Sequence, residues 1–220
     1  KTCGIEVELI TPKEAQALCP ILNVDDVIGA VHFPNDGQTN PADTTMALAK
    51  GARMGGVQIF EDTTVTGIHR RGGRVTGVAT GQGDIEADYI VNCAGMWARE
   101  IGLMGGVNIP LHACEHFYVV TEPMDGVPPD LPVLRDMDGC AYYKEDAGKL
   151  LIGAFEHDAK PWGMDGIPED HAFEELPEDL DHLAPVLEGA MHRVPALERV
   201  GIRKFFNGPE SFTPDVRYHI

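Results

Sequence analysis

The stretch Asp88–Trp97, with the sequence DYIVNCAGMW, contains residue types that can present a ligand. The run Tyr89–Val91 is apolar and short, which is typical of a strand covered on both faces, and open α/β sheets bind ligands beyond the carboxyl ends of such strands. Ala94 and Gly95 then leave the backbone bare, so that a flat cofactor can approach it, and the start of the following helix favours a negatively charged group. An ordinary strand-to-helix connection without a ligand accounts for this stretch equally well.

Helix and strand signals in the first half of the chain predict a helix, a small antiparallel meander and a return to a central sheet. Thr11-Pro12 and Asn40-Pro41 each place a capping residue before a proline, which predicts two helices, and Gly55-Gly56 ends the second one. The paired glycines Gly72-Gly73 supply the positive φ angles of a hairpin turn. Strands are predicted at residues 57–60, 64–69, 75–80 and 84–87, before the run at 89–91.

Alternating side chains in the second half predict an antiparallel sheet. The long strand His112–Thr121 is expected to place His116, Tyr118 and Val120 on one face and the intervening residues on the other. Strands near Val133, at 141–144 and at 150–155 are expected to pair with it. The remaining predictions are a helix at 176–193, a final strand at 200–206 and a loop over 205–215. The fold class expected is therefore mixed α/β.

Composition and charge exclude several classes of function. The formal net charge of −18 leaves no basic stripe that could neutralise nucleic-acid phosphates. The sequence contains no Gly-x-Gly-x-x-Gly fingerprint, Walker loop, Gly-x-Ser-x-Gly elbow or His-Glu-x-x-His zinc helix. Its nine histidines are dispersed without the spacing of metal ligands, so no metal site is expected.

Cysteine usage and hydropathy indicate where the chain resides. The five cysteines are odd in number and widely scattered, which favours a reducing, cytosol-like compartment. No apolar run approaches the roughly 20 residues that span a bilayer, so no membrane association is expected. Because the chain begins at Lys1 rather than Met and stops at Ile220 after a turn-rich segment, we expect it to be a piece of a longer protein.

Segments spread along nearly the whole chain resemble the FAD-dependent amine oxidoreductases of the D-amino-acid oxidase superfamily, and most closely the dimethylglycine and sarcosine dehydrogenases. No single segment is decisive, but together they follow the order of the family with similar gaps. The segments are Asp36–Pro41, Asp88–Trp97, Glu115–Pro123, Leu131–Asp136, Tyr142-Tyr143 and Asn207–Asp215.

The resemblance implies a division of the chain. Residues 1–110 correspond mainly to a partial FAD-binding domain, residues 111–200 to a substrate domain built on an antiparallel sheet, and residues 201–220 to a return toward the flavin. In this family the glycine fingerprint of the FAD domain lies N-terminal to the region seen here. We therefore expect the isolated chain to bind FAD weakly and to be inactive, even if the whole protein is an enzyme.

The resemblance also implies which residues approach FAD. Val65 is expected to touch the adenine end through its backbone. Ala94, Gly95 and Trp97 are expected to approach the ribose and pyrophosphate. Gly208 and nearby loop residues are expected to lie beside the isoalloxazine.

The implied reaction is oxidation of a small N-methylated amino acid, such as dimethylglycine or sarcosine, by hydride transfer to the flavin. The substrate nitrogen must be unprotonated, and His116 is the candidate for holding its proton, although a sheet histidine satisfied by a neighbour explains it as simply. Tyr142 is the candidate hydrogen-bond donor, and Tyr143 must then face away. Arg135 and Arg203 are candidates for binding the substrate carboxylate, although surface roles account for both more simply.

Two alternatives stay open. The flavin can instead oxidise a D-amino acid, proline or a hydroxy acid. In a different class, the chain by itself is a non-catalytic folded module, or the whole protein has a pure interaction role. Folate and an electron-transfer flavoprotein are the partners that the resemblance suggests beyond the amine, and the expected location is the cytoplasm, or the mitochondrial matrix in a eukaryote.

Overall fold

The computed structural model describes residues 4–155 and 157–217. They form two compact units whose segments alternate along the chain. The first unit contains residues 4–38, 115–155, 157–160 and 173–208, and the second contains residues 39–114, 161–172 and 209–217. The predicted domain boundaries near residues 110 and 200 stay a prediction, and residues 218–220 of the last predicted segment lie outside the described part of the chain.

The helices and strands give a mixed α/β fold with antiparallel sheets, as predicted. The helices are α1 (Pro12–Leu18), α2 (Pro41–Met54), α3 (Ala98–Met104) and α4 (Leu180–Arg193), with 3₁₀ turns at Gly95–Trp97 and Pro195–Arg199. The strands are β1 (Glu8–Ile10), β2 (Ala30–His32), β3 (Val65–Arg71), β4 (Arg74–Thr80), β5 (Gly83–Glu86), β6 (His112–Thr121), β7 (Leu134–Asp136), β8 (Ala141–Asp146), β9 (Lys149–Ala154), β10 (Pro161–Trp162) and β11 (Ile202–Phe212).

Local sequence signals explain where the first two helices begin. The Thr11 side chain accepts a hydrogen bond from the Glu14 backbone, and the Glu14 carboxylate accepts one from the Thr11 backbone, which completes a capping box at α1. Asn40 caps α2 by accepting a hydrogen bond from the Asp43 backbone N–H. Both predicted helices are therefore confirmed.

The first unit is built on an antiparallel sheet. From Glu115 onward β6 pairs with β9, β9 pairs with β8, and β8 pairs with β7, while β11 pairs with β6. One face of this sheet carries Phe117, Val119, Tyr143 and Ile152, which α4 covers with Leu183, Val186 and Ala190. Burial of each large apolar side chain contributes about 1.5–3 kcal/mol, so this face holds the core of the unit.

The second unit contains the predicted meander. β3, β4 and β5 form an antiparallel sheet in chain order, and Gly72 and Gly73 make the turn between β3 and β4 with φ angles of 60° and 82°. Helix α3 lies against β3. Ala113 and Cys114, at the start of β6, pair with β10.

Two predicted strands are wrong. Residues 57–60 and 89–91 form no strand, and the side chains of Tyr89 and Val91 are 84% and 83% exposed. An apolar run becomes a strand only where neighbouring strands complete its hydrogen-bond ladder. Among the described residues no strand pairs with either run.

The end of the chain also differs from the prediction. Strand β11 continues through Phe212, so the predicted loop at 205–215 is wrong over most of its length, because pairing with β6 keeps this segment extended. Helix α4 begins at Leu180 rather than at residue 176. The Asp179 side chain caps it, and the Leu176 backbone N–H instead donates to the Asn207 carbonyl at 2.8 Å.

No helix in the described ranges combines the length and apolar character that a bilayer span requires. Cys19, Cys93 and Cys140 are free thiols, and Cys3 lies outside the described residues.

Candidate functional site

Four residues form a row across the face of the first unit's sheet that α4 does not cover. Strand pairing sets Arg135 opposite Tyr142, Tyr142 opposite Gly153, and Gly153 opposite Tyr118. Because side chains directly opposite each other in antiparallel strands point to the same face, this register brings residues from four strands together.

The predicted pair His116 and Tyr142 meets on this face around the ring of Phe155. The His116 and Tyr142 rings stack at 6.4 Å between centroids, with 13° between their planes. The Phe155 ring lies 5.1 Å from that of His116 and 5.4 Å from that of Tyr142. The Tyr118 and Phe206 rings stack on each other next to this group, with 4.3 Å between their centroids. We call the set His116, Tyr118, Tyr142, Phe155 and Phe206 the aromatic face.

The alternation predicted for Tyr142 and Tyr143 is confirmed. Tyr143 is 1% exposed and belongs to the core on the opposite side of the sheet. Burial raises the pKa of its hydroxyl far above the ordinary value, and the nearby Asp136 carboxylate acts in the same direction. Of these two tyrosines, only Tyr142 lies on the aromatic face.

The two arginines proposed as carboxylate binders have different surroundings. The Arg135 guanidinium lies 4.5 Å from the centroid of the Phe155 ring, and no described carboxylate lies within ion-pair distance of it. Arg203 is 3.5 Å from a carboxylate oxygen of Glu122, and its side chain is 60% exposed. The structure therefore brings Arg135, but not Arg203, to the aromatic face.

Asn207 holds β11 in place immediately before Gly208. Asn207 is 1% exposed, and its side-chain amide donates to Glu115 Oε2 at 2.7 Å and to the Pro177 carbonyl at 2.8 Å. Its Oδ1 atom is buried without a hydrogen-bond partner among the described residues. Gly208 itself is half-buried within the strand rather than in a loop.

The second unit contains the turn with the other predicted cofactor residues. The Asn92 side chain accepts a hydrogen bond from the Ala94 N–H at 3.2 Å and donates to the Ala98 carbonyl at 2.8 Å. The Trp97 N–H donates to the Ala94 carbonyl at 3.0 Å. Asn92 thus fixes the turn at both ends. The sequence analysis did not predict this role, although an Asn before a Gly-containing turn is a known local signal.

Gly95 gives this turn an open backbone. Its φ of 56° lies in the left-handed region, and a Cβ at this position would meet no atom within 4 Å. Such a bare, unobstructed backbone fits the close approach of a flat or phosphate-bearing cofactor. Val65, the remaining predicted residue of this unit, begins β3 opposite Thr80.

One cleft of the second unit contains none of the predicted site residues. It has a volume of about 420 Å³ and is lined by Arg99, by residues 108–112 and by residues 212–214. Its walls are mainly apolar, and His112 Nε2 is buried there without a partner among the described residues. The aromatic face differs from this cleft because it combines a histidine, a tyrosine hydroxyl and a guanidinium.

Sequence reasoning missed Gly153 and Phe155 as parts of the site. Both lie on the same face as Tyr142 because they alternate with the core residues Ile152 and Ala154 of β9. Their period-two spacing was visible in the sequence, but the pairing that sets them beside Tyr142 was not.

Comparisons with known proteins agree with the proposed resemblance. The chain is 44% identical over 217 residues to the mitochondrial pyruvate dehydrogenase phosphatase regulatory subunit of Mus musculus, covering 97% of this chain and 25% of that protein. It is 40% identical over 220 residues to mitochondrial sarcosine dehydrogenase of Mus musculus, covering 98% of this chain and 24% of that protein. It is 37% identical over 219 residues to mitochondrial dimethylglycine dehydrogenase of Rattus norvegicus, covering 96% and 26%.

The fold also matches a solved structure, and one family model matches the whole sequence. L-proline dehydrogenase from P. horikoshii superposes with a TM-score of 0.81 at 27% identity, covering 97% of this chain and 55% of that one. By contrast, the chain spans only about a quarter of the length of the three curated relatives named above. Because the model described as "FAD dependent oxidoreductase" (DAO) matches residues 1–220, the chain belongs to the DAO family of FAD-dependent oxidoreductases.

Proposed function

We propose that the whole protein oxidises a small N-methylated amino acid, such as dimethylglycine or sarcosine, in an FAD-dependent reaction. The observation that carries the proposal is the aromatic face, where Arg135 lies over the Phe155 ring and opposite Tyr142 without a described carboxylate partner. Aromatic rings attract methylated ammonium groups, and an unpaired guanidinium binds a carboxylate. An N-methylated amino acid carries both groups.

Each side chain has a distinct role in this proposal. The Arg135 guanidinium binds the substrate carboxylate, and the Phe155 ring contacts the N-methyl carbons. The His116 imidazole takes the proton of the substrate ammonium, so that the nitrogen lone pair can assist loss of hydride from the adjacent carbon. The Tyr142 hydroxyl donates a hydrogen bond that orients the amine. The resulting iminium is hydrolysed by water, or its one-carbon unit is passed to folate.

The cofactor residues are proposed on the resemblance and on the open turn at Gly95. Ala94, Gly95 and Trp97 would hold the ribose and pyrophosphate, with Val65 at the adenine end and Gly208 beside the isoalloxazine. When bound, FAD supplies the acceptor of the hydride. The bare backbone at Gly95 is the structural feature that supports this assignment.

The acceptors that act after the flavin are also proposals. We propose an electron-transfer flavoprotein as the electron acceptor and folate as the acceptor of the one-carbon unit, both on the resemblance alone. The compartment would be the cytoplasm, or the mitochondrial matrix in a eukaryote, and the word mitochondrial in the names of two relatives is compatible with the second.

The test is anaerobic reduction of the holoprotein made from the complete reading frame. We expect a yellow protein whose visible absorbance is bleached by dimethylglycine or sarcosine. The alternative donors, D-amino acids, proline and hydroxy acids, are compared at equal concentration, and the fastest donor identifies the substrate class. A colourless protein that does not bind added FAD would contradict the proposal.

A second candidate function rests on the 44% identity to a phosphatase regulatory subunit. In that case the whole protein acts by binding a partner, and the aromatic face has no amine substrate. The same experiment separates the two functions. A regulatory protein would not be bleached by any amine, even if it binds FAD.

A further inference from the structure

The Tyr142 ring lies flat across Gly153 on the neighbouring strand. A Cβ at Gly153 would overlap the Cζ, Oη and Cε1 atoms of that ring. Residues directly opposite each other in an antiparallel sheet normally keep their Cβ atoms about 4.5–5.5 Å apart, with both side chains standing off the backbone. In this pair Gly153 has no side chain, and the Tyr142 ring occupies the space that a side chain at position 153 would take.

The backbone of Gly153 gives no separate reason for a glycine. Gly153 is not among the glycines with positive φ, so an L-residue could adopt its conformation without strain. It is buried, and it lies in regular ladders with both β8 and β6. The feature that requires glycine here is the space occupied by Tyr142.

We infer that Gly153 is a positioning residue, which fixes the Tyr142 hydroxyl by letting the phenol ring rest on β9. Phe155, which directly follows the end of β9, has its ring centroid 5.4 Å from that of Tyr142, and the His116 ring stacks with Tyr142 at 6.4 Å. The ring is therefore bounded by the backbone at Gly153, by Phe155 and by His116. The effect on activity rests on the proposed function, whereas the effect on ring position does not.

A side chain at position 153 would move the hydroxyl relative to Arg135. Arg135 stands opposite Tyr142 on the other side, so the ring cannot leave Gly153 without approaching the guanidinium or rising from the sheet. Displacement of a catalytic contact by about 1 Å can lower a rate about 100-fold. The identity of residue 153 would thus control where the Tyr142 hydroxyl lies when the amine binds.

The experiment compares Gly153→Ala with Gly201→Ala in the whole holoprotein. A Cβ at Gly201 would make only an ordinary contact, 3.8 Å from Glu122 Cγ, in the same unit and without a positive φ. We expect Gly153→Ala to lower kcat/KM for the best amine donor about 10- to 100-fold and Gly201→Ala to leave it unchanged. In a Tyr142→Ala background, Gly153→Ala should have little further effect.

Crystal structures of the two variants give a readout that does not depend on activity. We expect the Tyr142 hydroxyl to be displaced in Gly153→Ala and unchanged in Gly201→Ala. An unmoved ring, or full additivity of Gly153→Ala with Tyr142→Ala, would overturn the inference. A displaced ring in a protein that no amine reduces would support the positioning by Gly153 and contradict the proposed function instead.

Discussion

Tyr142 and Tyr143 are neighbours in β8, yet one lies on the aromatic face and the other is 1% exposed in the core. The Tyr143 hydroxyl is buried without a hydrogen-bond partner among residues 4–155 and 157–217. The two positions therefore allow the same substitution to test opposite faces of one sheet.

Tyr143→Phe should stabilise the protein, because it removes a buried hydroxyl that makes no hydrogen bond. The expected gain in the free energy of unfolding is about 1 kcal/mol, with unchanged amine oxidation. Tyr142→Phe should lower kcat/KM about tenfold, the equivalent of one lost hydrogen bond. Thermal unfolding and steady-state kinetics measure both. A destabilised Tyr143→Phe would show that the hydroxyl has a partner.

Arg135→Gln should raise KM for dimethylglycine or sarcosine, because the carboxylate loses a charged hydrogen-bond donor. Loss of such a bond costs about 1.5–3 kcal/mol, so we expect an increase of about 10- to 100-fold. Arg203→Gln is the control, since Arg203 pairs with Glu122. An N-methylated amine without a carboxylate should be insensitive to Arg135→Gln. Equal losses for both kinds of substrate would argue against carboxylate binding.

Gly95→Ala should weaken FAD binding to the apoprotein about tenfold or more, because a methyl group would occupy the space beside the bare turn. Gly72→Ala is a matched control, since Gly72 has a φ of 60° and is also without neighbours within 4 Å of a Cβ. Each substitution should cost about 1 kcal/mol of backbone strain. Fluorescence titration with FAD distinguishes them. Equal affinities in the two variants would remove Gly95 from the cofactor site.

Asp26→Asn should destabilise the protein at neutral pH and progressively less as the pH falls below about 4. Hydrogen bonds from Arg193, at 2.7 and 3.2 Å, and from His192 hold the pKa of Asp26 well below its usual range. A carboxylate with a lowered pKa stabilises the fold above the pKa of the unfolded state, about 3.9, and loses this effect as the pH falls further.

The difference in melting temperature between the unsubstituted protein and Asp26→Asn should therefore be constant above about pH 5 and shrink below about pH 4. Asp25→Asn is the control, because no described cation pairs with Asp25. A difference that does not change between pH 7 and pH 3 would show that the ion pair with Arg193 does not contribute through the charge of Asp26.

The sequence by itself determined the elements whose hydrogen bonds are local. The Thr11–Glu14 capping box, the Asn40 cap and the turn at Gly72 and Gly73 involve residues only a few positions apart, so their residue types are sufficient. The alternation along β6 and the opposite orientation of Tyr142 and Tyr143 follow from the period of two in any strand. The family resemblance likewise rested on short segments in order.

Only the tertiary structure decided which strands pair and in what register. Residues 89–91 pair with no described strand, whereas β11 continues through Phe212. Strand pairing also aligns Arg135, Tyr142, Gly153 and Tyr118 in one row. These outcomes depend on hydrogen bonds between segments far apart in the chain, and a shift of register by one residue would turn each side chain to the other face. For that reason the sequence could name His116 and Tyr142 as candidates, whereas Phe155 and Gly153 became visible as their neighbours only in the folded sheet.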